Sequence, residues 1–462
     1  MVARIPATDI ADMDAVVAGN GRLTVEQVMR LYYDASIYDL GRWATRMANR
    51  IHGDQYRTYI IDRNVNYTNV CSAKCTFCAF RRNGDEHDAY VLEKQELHDK
   101  IRELSDIGGT QVLLQGGMHP DLPIEFYEDM LSSIRDAFPQ IDIHGFSPPE
   151  FVEFVAVCEI DGFPTTKPGS SGTLERDVWT AKLEAVMRRL QAAGLASLPG
   201  GGGEIFIPAV RQRIGRGKAT GEQWLDVMKA AHRLGMRTSG TMMFGHIEGI
   251  ADRFNHMNMI RDAQDEAINN EWPGRYMAFI SWPFQPDNTP LGRLKQWDAE
   301  TDEAFPGDIL AKGTPHDDAG KRLRLAGATE YLRMQALSRL FMDNIQSIGS
   351  SWVTMGPKIG QLGLLYGAND MGSVMMEENV VSSAGTTYCL NEASICRLIR
   401  DAGYTPAQRG NAYDILKIHD GDDSPDAQVD DWAQLRPAMT TPGEMVTGES
   451  TEEDMASITA MA

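Results

Sequence analysis

Thr58-Tyr59-Ile60-Ile61-Asp62-Arg63-Asn64-Val65-Asn66, continued by Tyr67-Thr68-Asn69-Val70-Cys71-Ser72-Ala73-Lys74-Cys75-Thr76-Phe77-Cys78, sets a strand-like run directly before three cysteines spaced C-x3-C-x2-C. Three thiolates can hold a four-iron cubane and leave one iron without a protein ligand, and an open coordination position is where catalytic metal sites do their chemistry. No fourth cysteine lies nearby. Structural zinc prefers four ligands in two close pairs, and the nearest histidines, His52 and His87, are not at finger spacing. An electron-transfer ferredoxin cluster wants four cysteines.

Around this run the chain repeats one phrase, an amphipathic helix, a glycine and a short apolar strand. Leu97, Ile101, Leu104 and Ile107 fall at helical spacing, Gly108-Gly109 stop the helix, and Gln111–Leu114 reads as a strand. Leu183, Val186, Met187 and Leu190 precede Gly194 and the strand Leu195–Leu198; Trp224, Val227, Met228, Ala231 and Leu234 precede Gly235 and the strand Arg237–Phe244. Glycine supplies the left-handed C-cap that turns the chain back, and helices alternating with strands at this spacing imply a parallel sheet. Candidate strands lie near 58–66, 111–115, 141–146, 195–199, 237–244, 276–282, 343–349 and 363–367, enough for an α/β, (β/α)8 TIM-type barrel over residues 51–416. Chemistry in such barrels sits at the C-terminal ends of the strands, which is where the cysteines fall. Residues 1–50 are expected as a helical lead-in, 161–173 as an inserted loop rich in Pro, Gly and Ser, and 417–462 as a disordered acidic tail.

The chain has 462 residues, 42% of them hydrophobic, and a net charge of −21, of which −10 comes from residues 418–462. An acidic chain without basic blocks argues against a nucleic-acid partner, so anionic ligands must be met by local cations. No secretory signal opens the chain and no apolar run is long enough for a membrane span. Cys158, Cys389 and Cys396 are scattered among apolar neighbours and read as small buried hydrophobes, and a thiolate cluster belongs in a reducing compartment, the cytoplasm.

The C-x3-C-x2-C triplet with Phe77 before its last cysteine resembles the radical S-adenosylmethionine (radical SAM) superfamily. That resemblance implies a [4Fe-4S] cluster on Cys71, Cys75 and Cys78 and S-adenosyl-L-methionine as its partner, with Phe77 toward the adenine. Gly116-Gly117, in Gln115-Gly116-Gly117-Met118, matches the superfamily's Gly-Gly-Glu-type turn, though Met118 replaces the acid, so only backbone contacts to the methionine ammonium carry over; a tight βα turn is the plain alternative. Glu204 ends Pro199-Gly200-Gly201-Gly202-Gly203-Glu204, where a carboxylate could take ribose hydroxyls; a phosphate-cradling loop would lack its Lys-Ser/Thr. Thr241–Glu248 resembles the G-x-I-x-G-x-x-E element and places Met243 against adenine, or in plain core.

Longer stretches narrow the resemblance. Asn66–Cys71, Pro199–Phe206, Phe279–Thr289, Ser351–Lys358, Gly367–Ser373, Glu377–Ser382 and Pro406–Arg409 together look like the cyclic dehypoxanthine futalosine synthase family of menaquinone biosynthesis, over roughly residues 24–416. Aminofutalosine synthase and the deazaflavin F0 subunits are the nearby alternatives, and an iron–sulfur redox or scaffold protein is the non-enzymatic one. The family implies dehypoxanthine futalosine as small-molecule substrate and a reductant such as flavodoxin or ferredoxin. His246 and Glu248 after the fifth strand, Gln285, Asn288 and Thr289 after the sixth, and Asn369 and Asp370 after the eighth are the expected substrate contacts, with His246 also the candidate base and a structural histidine the alternative. Arg63, Arg81, Arg82 and Arg211 are candidates for a substrate carboxylate. Oligomeric state is not readable from the residues.

Overall fold

The structure is a computed structural model that describes residues 10–169, 174–298, 300, 305, 322–386 and 388–432. In chain order its strands are β1 (Tyr56–Ile60), β2 (Asp62–Asn66), β3 (Lys74–Cys75), β4 (Gln111–Gln115), β5 (Asp142–Gly145), β6 (Leu195–Leu198), β7 (Gly215–Arg216), β8 (Arg237–Phe244), β9 (Tyr276–Pro283), β10 (Ser347–Gly349), β11 (Asp370–Ser373), β12 (Thr405–Arg409) and β13 (Ile415–Ile418).

The main sheet runs β13-β12-β1-β11-β10-β9-β8-β6-β5-β4-β2, parallel throughout except for the β12–β13 pair. Only Ile61 separates β1 from β2, so the curled sheet meets itself through the covalent chain, and Thr110 N–H reaches the Ile61 carbonyl at the join. Helices Lys94–Asp106, Ile124–Ala137, Arg176–Ala193, Gly221–Arg233, Ile250–Asn269 and Ala328–Phe341 cover the outside. Their apolar stripes face the strands: Leu97, Ile101 and Leu104 are all buried, each side chain worth roughly 1.5–3 kcal/mol. Gly235 (φ +83°) turns the chain from the Gly221–Arg233 helix into β8 in the left-handed conformation that a side chain would strain.

Seven of the expected strands fall within a few residues of observed ones. The eighth does not: Pro357–Gly363 is helical, Leu364–Tyr366 is a turn of 3-10 helix, and the strand is β11, opening at Asp370. The apolar Leu364-Leu365-Tyr366 run had suggested a strand, whereas the real stave, Asp-Met-Gly-Ser, is polar and mostly buried.

Before the barrel come helices Met13–Ala18, Val25–Asp34 and Ile37–His52, the last packed on Ala328–Phe341. The described part of the inserted stretch, 161–169, lies on helix Pro148–Val157, with Gly169 N–H donating to Glu153 at 2.8 Å; 170–173 are outside the described residues. The stretch expected as a tail begins with structure: β13 pairs with β12, and His419 and Ser424 are buried, while 433–462 lie outside the described residues. Cys158 and Cys396 are buried as expected, but Cys389 is only half-buried.

Candidate active site

The cysteine loop leaves the C-terminal end of β2 and is held by backbone on every side. Cys71 N–H donates to the Arg82 carbonyl and Arg82 N–H to Asn69, closing the loop as a narrow ribbon. Lys74 and Cys75 form β3, antiparallel to β7, and Thr76 is pinned between Ile214, whose carbonyl takes its N–H at 2.8 Å, and Leu291, whose N–H donates to its carbonyl at 2.7 Å. On the barrel side, Ser72 N–H donates to the Met118 carbonyl at 2.8 Å and Met118 N–H to Cys71 Sγ at 3.3 Å. This contact requires the glycine pair. A Cβ on Gly117 would sit 2.1 Å from the Val70 carbonyl oxygen, and one on Gly116 2.5 Å from Tyr67. Glu150 anchors the same turn, accepting from Gly116 N–H at 3.0 Å and Tyr67 O–H at 2.7 Å.

Burial pushes the Cys71 thiol up and the Cys75 thiol up to about 12, and the neighbouring sulfurs add to it. The opposing cation is Lys218, whose Nζ lies 2.8 Å from Glu204 and 5.0 Å from the centre of the Phe77 ring. Arg211 approaches Glu204 at 3.4 Å and spends its other donors on the carbonyls of Gly202, Gly203 and Ala219. The glycine run before Glu204 is a close-packing device: a Cβ on Gly200 or Gly203 would meet the Ser239 or Thr241 carbonyl at 2.5 or 2.4 Å.

Among the described residues no three His, Cys, Asp or Glu side chains converge as the ligands of one metal ion would. The ligands of a four-iron cluster sit on different irons and need no such convergence. Three sulfurs on one loop, an N–H donor on Cys71, a cation beside Cys75 and a backbone cradle free of side chains suit such a cluster with an amino-acid ligand beside it.

A cavity of about 480 Å³ runs from this loop down the barrel axis, lined by Cys71, Cys75, Cys78, Phe77, Gly116, Gly117 and Glu204 at one end. Its two sides differ. β2 contributes Asp62, Asn64 and Asn66 at alternate positions, joined by Gln111 and Gln115 from β4, His144 from β5 and Ser197 from β6. The opposite side sets an apolar patch, Met277, Ile280 and Trp282 from β9 with Met371 from β11, among the smaller hydroxyl side chains of Thr241, Ser350, Ser351 and Ser373. The floor is closed by the chain after β12. Arg409 pairs with both oxygens of Asp370, at 2.6 and 3.1 Å, and lies 3.9 Å from the Tyr413 ring, and Asn411 accepts from Ser197 Oγ at 2.8 Å. Burial pushes Asp62 up to about 6 and His144 down to about 3.

The structure thus gathers the three cysteines, Phe77, Gly116, Gly117, Glu204 and Asp370 around one cavity. Of the arginines considered for a carboxylate, Arg81 also lines it whereas Arg63, Arg82 and Arg211 do not, and the other expected contacts are absent from its wall. Met243 is fully buried in the core. His246 and Glu248 are also fully buried, because β8 ends at Phe244 and the next turn folds back on itself: Glu248 accepts from Gly245 and His246 N–H, stands 3.0 Å from His246 Nδ1 and pairs with Arg253 at 2.8 Å, joining strand to helix. Thr289 bonds Pro286 and Gly292 within its own turn, Asn288 is exposed with φ +57° and holds Ser383, and Gln285 bonds Pro283. That turn instead braces the cysteine loop through Leu291. Asn369 ties Ile348, Ser347 and Arg339 together. Because β11 starts rather than ends here, Asn369 and Asp370 lie at the floor, not the mouth. Sequence reasoning missed Lys218, Arg409 in any role, and the Asp62-x-Asn64-x-Asn66 ladder; the ladder had a signal, since polar residues at alternate positions in a doubly buried strand run against the usual apolar pattern.

Among the described residues no helix is long and apolar enough to cross a membrane. The model of the radical SAM superfamily matches residues 65–260, and that of the CofH/MqnC C-terminal region residues 312–421. The chain is 41% identical over 401 residues to the cyclic dehypoxanthine futalosine synthase of Halalkalibacterium halodurans, covering 87% of this chain and 93% of that one. It is 36% identical to the Streptomyces coelicolor protein of the same name (89% and 91% covered), and 33% identical to the 5-amino-6-(D-ribitylamino)uracil–L-tyrosine 4-hydroxyphenyl transferase of Methanopyrus kandleri (89% and 95%). The solved structure of methylornithine synthase shares the fold at 15% identity, with a TM-score of 0.58 over 86% of this chain and 97% of that one. The barrel, the cysteine loop at its mouth and these matches agree: the chain is an enzyme of the radical SAM superfamily, in the branch that carries the CofH/MqnC C-terminal region.

Proposed function

We propose that this enzyme converts dehypoxanthine futalosine to its cyclic form, a step of menaquinone biosynthesis, in the cytoplasm and with electrons from a small reductant such as flavodoxin or ferredoxin. The observation that carries this reading is the two-sided cavity opening onto the cysteine loop. A substrate with a ribose-derived sugar at one end and a benzoate ring at the other finds hydroxyl partners along Asp62, Asn64 and Asn66 and an apolar face on Trp282, Ile280 and Met277. The names of the relatives at 41% and 36% identity support the same reaction.

Cys71, Cys75 and Cys78 would hold a [4Fe-4S] cluster, Gly116 and Gly117 would admit the methionine end of S-adenosylmethionine, and Phe77 and Glu204 would face its adenosine. When bound, this pair supplies a one-electron route to hydrogen removal from an unactivated carbon. The chain's own contribution is positional. The walls hold the sugar carbon C4′ against the aromatic ring so that a carbon–carbon bond closes between them, which is worth several kcal/mol in a preorganised site. The apolar face excludes water and stray hydrogen donors. Net, the substrate loses one hydrogen from C4′ and one electron and one proton from the ring as aromaticity returns. S-adenosylmethionine would be the two-electron oxidant, leaving as methionine and as 5′-deoxyadenosine that carries the C4′ hydrogen, with the proton released.

An anaerobic assay with reductant, S-adenosylmethionine and dehypoxanthine futalosine should yield 5′-deoxyadenosine and a product lighter than the substrate by two hydrogens. Deoxyadenosine formation with no loss of dehypoxanthine futalosine, or turnover of an enolpyruvyl-ether benzoate instead, would replace this reading with that of a sister enzyme.

A further inference from the structure

Among the described residues four cations line the cavity, and three of them are accounted for. Lys218 is neutralised by Glu204 at 2.8 Å and Arg409 by Asp370 at 2.6 Å. Arg237 opens β8, so it is exposed at the end remote from the cysteines. The fourth, Arg81, is half-buried on the ribbon just after Cys78. Its Nε donates to the Cys71 carbonyl at 3.4 Å and its Nη2 to the Asn83 side chain. No carboxylate pairs with it among the described residues. Of the acids that follow on that ribbon, Glu86 is occupied by Asn83, taking its backbone and side-chain N–H at 2.6 Å.

The other arginines that could serve an anion are spent. Arg63 pairs with Glu377 and Glu103, Arg82 with Asp88, and Arg211 with Glu204 and three carbonyls. A cation facing a ligand cavity with unfilled donors, in a chain of net charge −21, has a specific use. A guanidinium matches a carboxylate in two-point geometry, and the match strengthens as water leaves.

We propose that Arg81 is the carboxylate receptor at the cysteine end of the cavity. The proposal rests on the reaction assigned above, which brings two carboxylates to this site, that of the benzoate and that of the methionine. Arg81 neither donates nor accepts a proton in the reaction; it positions one anionic group.

The test is anaerobic equilibrium binding to cluster-loaded, unreduced protein, comparing the parent with Arg81→Gln and Arg81→Lys. The ligands are dehypoxanthine futalosine, its benzoate methyl ester, S-adenosylmethionine and decarboxylated S-adenosylmethionine. Loss of a charge-assisted pair should weaken one acid about tenfold to a hundredfold in Arg81→Gln, leave its uncharged counterpart within about twofold, and recover in part in Arg81→Lys. If the futalosine acid weakens and its ester does not, the carboxylate is the substrate's; if S-adenosylmethionine weakens and its decarboxylated analogue does not, it is the methionine's. Unchanged affinity for both acids, at unchanged iron content and unfolding midpoint, overturns the assignment. Should Arg81→Gln lose iron, Arg81→Lys against the acid and ester pairs decides. A parent protein that binds neither futalosine compound removes the reaction assigned above, while the S-adenosylmethionine arm still judges Arg81 alone.

Discussion

Lys218 Nζ lies 2.8 Å from Glu204 Oε1 at the end of the cavity that carries the cysteines, the carboxylate buried and the lysine side chain 12% exposed. Burial alone lowers the affinity of a lysine for its proton, yet the Glu204 carboxylate and the Cys75 sulfur hold Lys218 above its usual value. Arg211, at 3.4 Å, is a weaker second partner whose donors are mostly taken by carbonyls.

Lys218→Met should therefore strand a buried carboxylate. Removing one member of a buried pair costs roughly 3–5 kcal/mol, and the remaining Arg211 contact puts the expectation near the lower bound. Denaturant midpoints of Lys218→Met, Glu204→Gln and the double variant would measure it. The double variant should recover much of the loss, because it removes both charges together. Additive losses would mean that the two groups do not act as a pair.

The glycine pair gives a prediction about loading rather than stability. A methyl group on Gly117 would overlap the Val70 carbonyl, 2.1 Å away, and press on Cys71 Cβ at 2.9 Å. Gly117→Ala should displace the first cysteine while the distant staves keep their helices and register. The expectation is near-native circular dichroism with iron and sulfide content well below that of the parent after identical reconstitution. Full loading of Gly117→Ala would show that the loop yields and that the cradle is not needed.

Asp62 makes stability depend on pH in a calculable direction. It lies at the cavity floor, takes Gln111 at 2.9 Å and a Ser373 hydroxyl, and has no direct cation among the described residues. Burial raises it from 3.8 to about 6, so the folded protein keeps a proton there that the unfolded chain has released. Between those values the native state binds more protons, and the contribution of Asp62 to stability falls as pH rises, by at most on the order of 3 kcal/mol. Asp62→Asn should gain stability relative to the parent at pH 7 and lose that advantage at pH 4, in unfolding curves run at both. An equal offset at the two values would place Asp62 in a site that solvent reaches.

How much of this was legible beforehand depended on where the information lay. The cysteines, Phe77 and the glycine turns are local patterns whose chemistry fixes their spacing, and all arrive at the cavity. The helix–glycine–strand phrase places seven staves because an apolar stripe and a left-handed cap are both short-range signals. The eighth fails because Leu364-Leu365-Tyr366 has the hydrophobicity of a strand while the true stave, Asp370-Met371-Gly372-Ser373, turns polar groups inward to meet Arg409, whose chain partner lies 39 residues away. Lys218 fails for the same reason: nothing near it in the chain says that it will face Glu204. The mouth positions of His246 and Glu248 were inferred from strand ends, and strand ends do not reveal whether the next turn opens outward or folds onto its own backbone.

That fold-back leads to the last expectation. Glu248 accepts from two backbone N–H groups and faces His246 and Arg253, with Arg253 also bonded to Glu330. Burial works against its ionisation, but His246, Arg253 and the two N–H donors prevail and hold it down to about 2, below its usual 4.5. A depressed carboxylate stabilises the fold above its unfolded value, and that contribution is lost as pH falls from about 4.5 toward 2. Glu248→Gln should cost on the order of 3 kcal/mol at pH 7 and progressively less as the pH drops through that window, with unfolding midpoints as the measure. Because neither Glu248 nor His246 lines the cavity, His246→Gln should leave the KM for the substrate within about twofold of the parent in whatever fraction stays folded. A His246→Gln protein with native midpoint but a KM raised tenfold would return that histidine to the substrate's side of the wall.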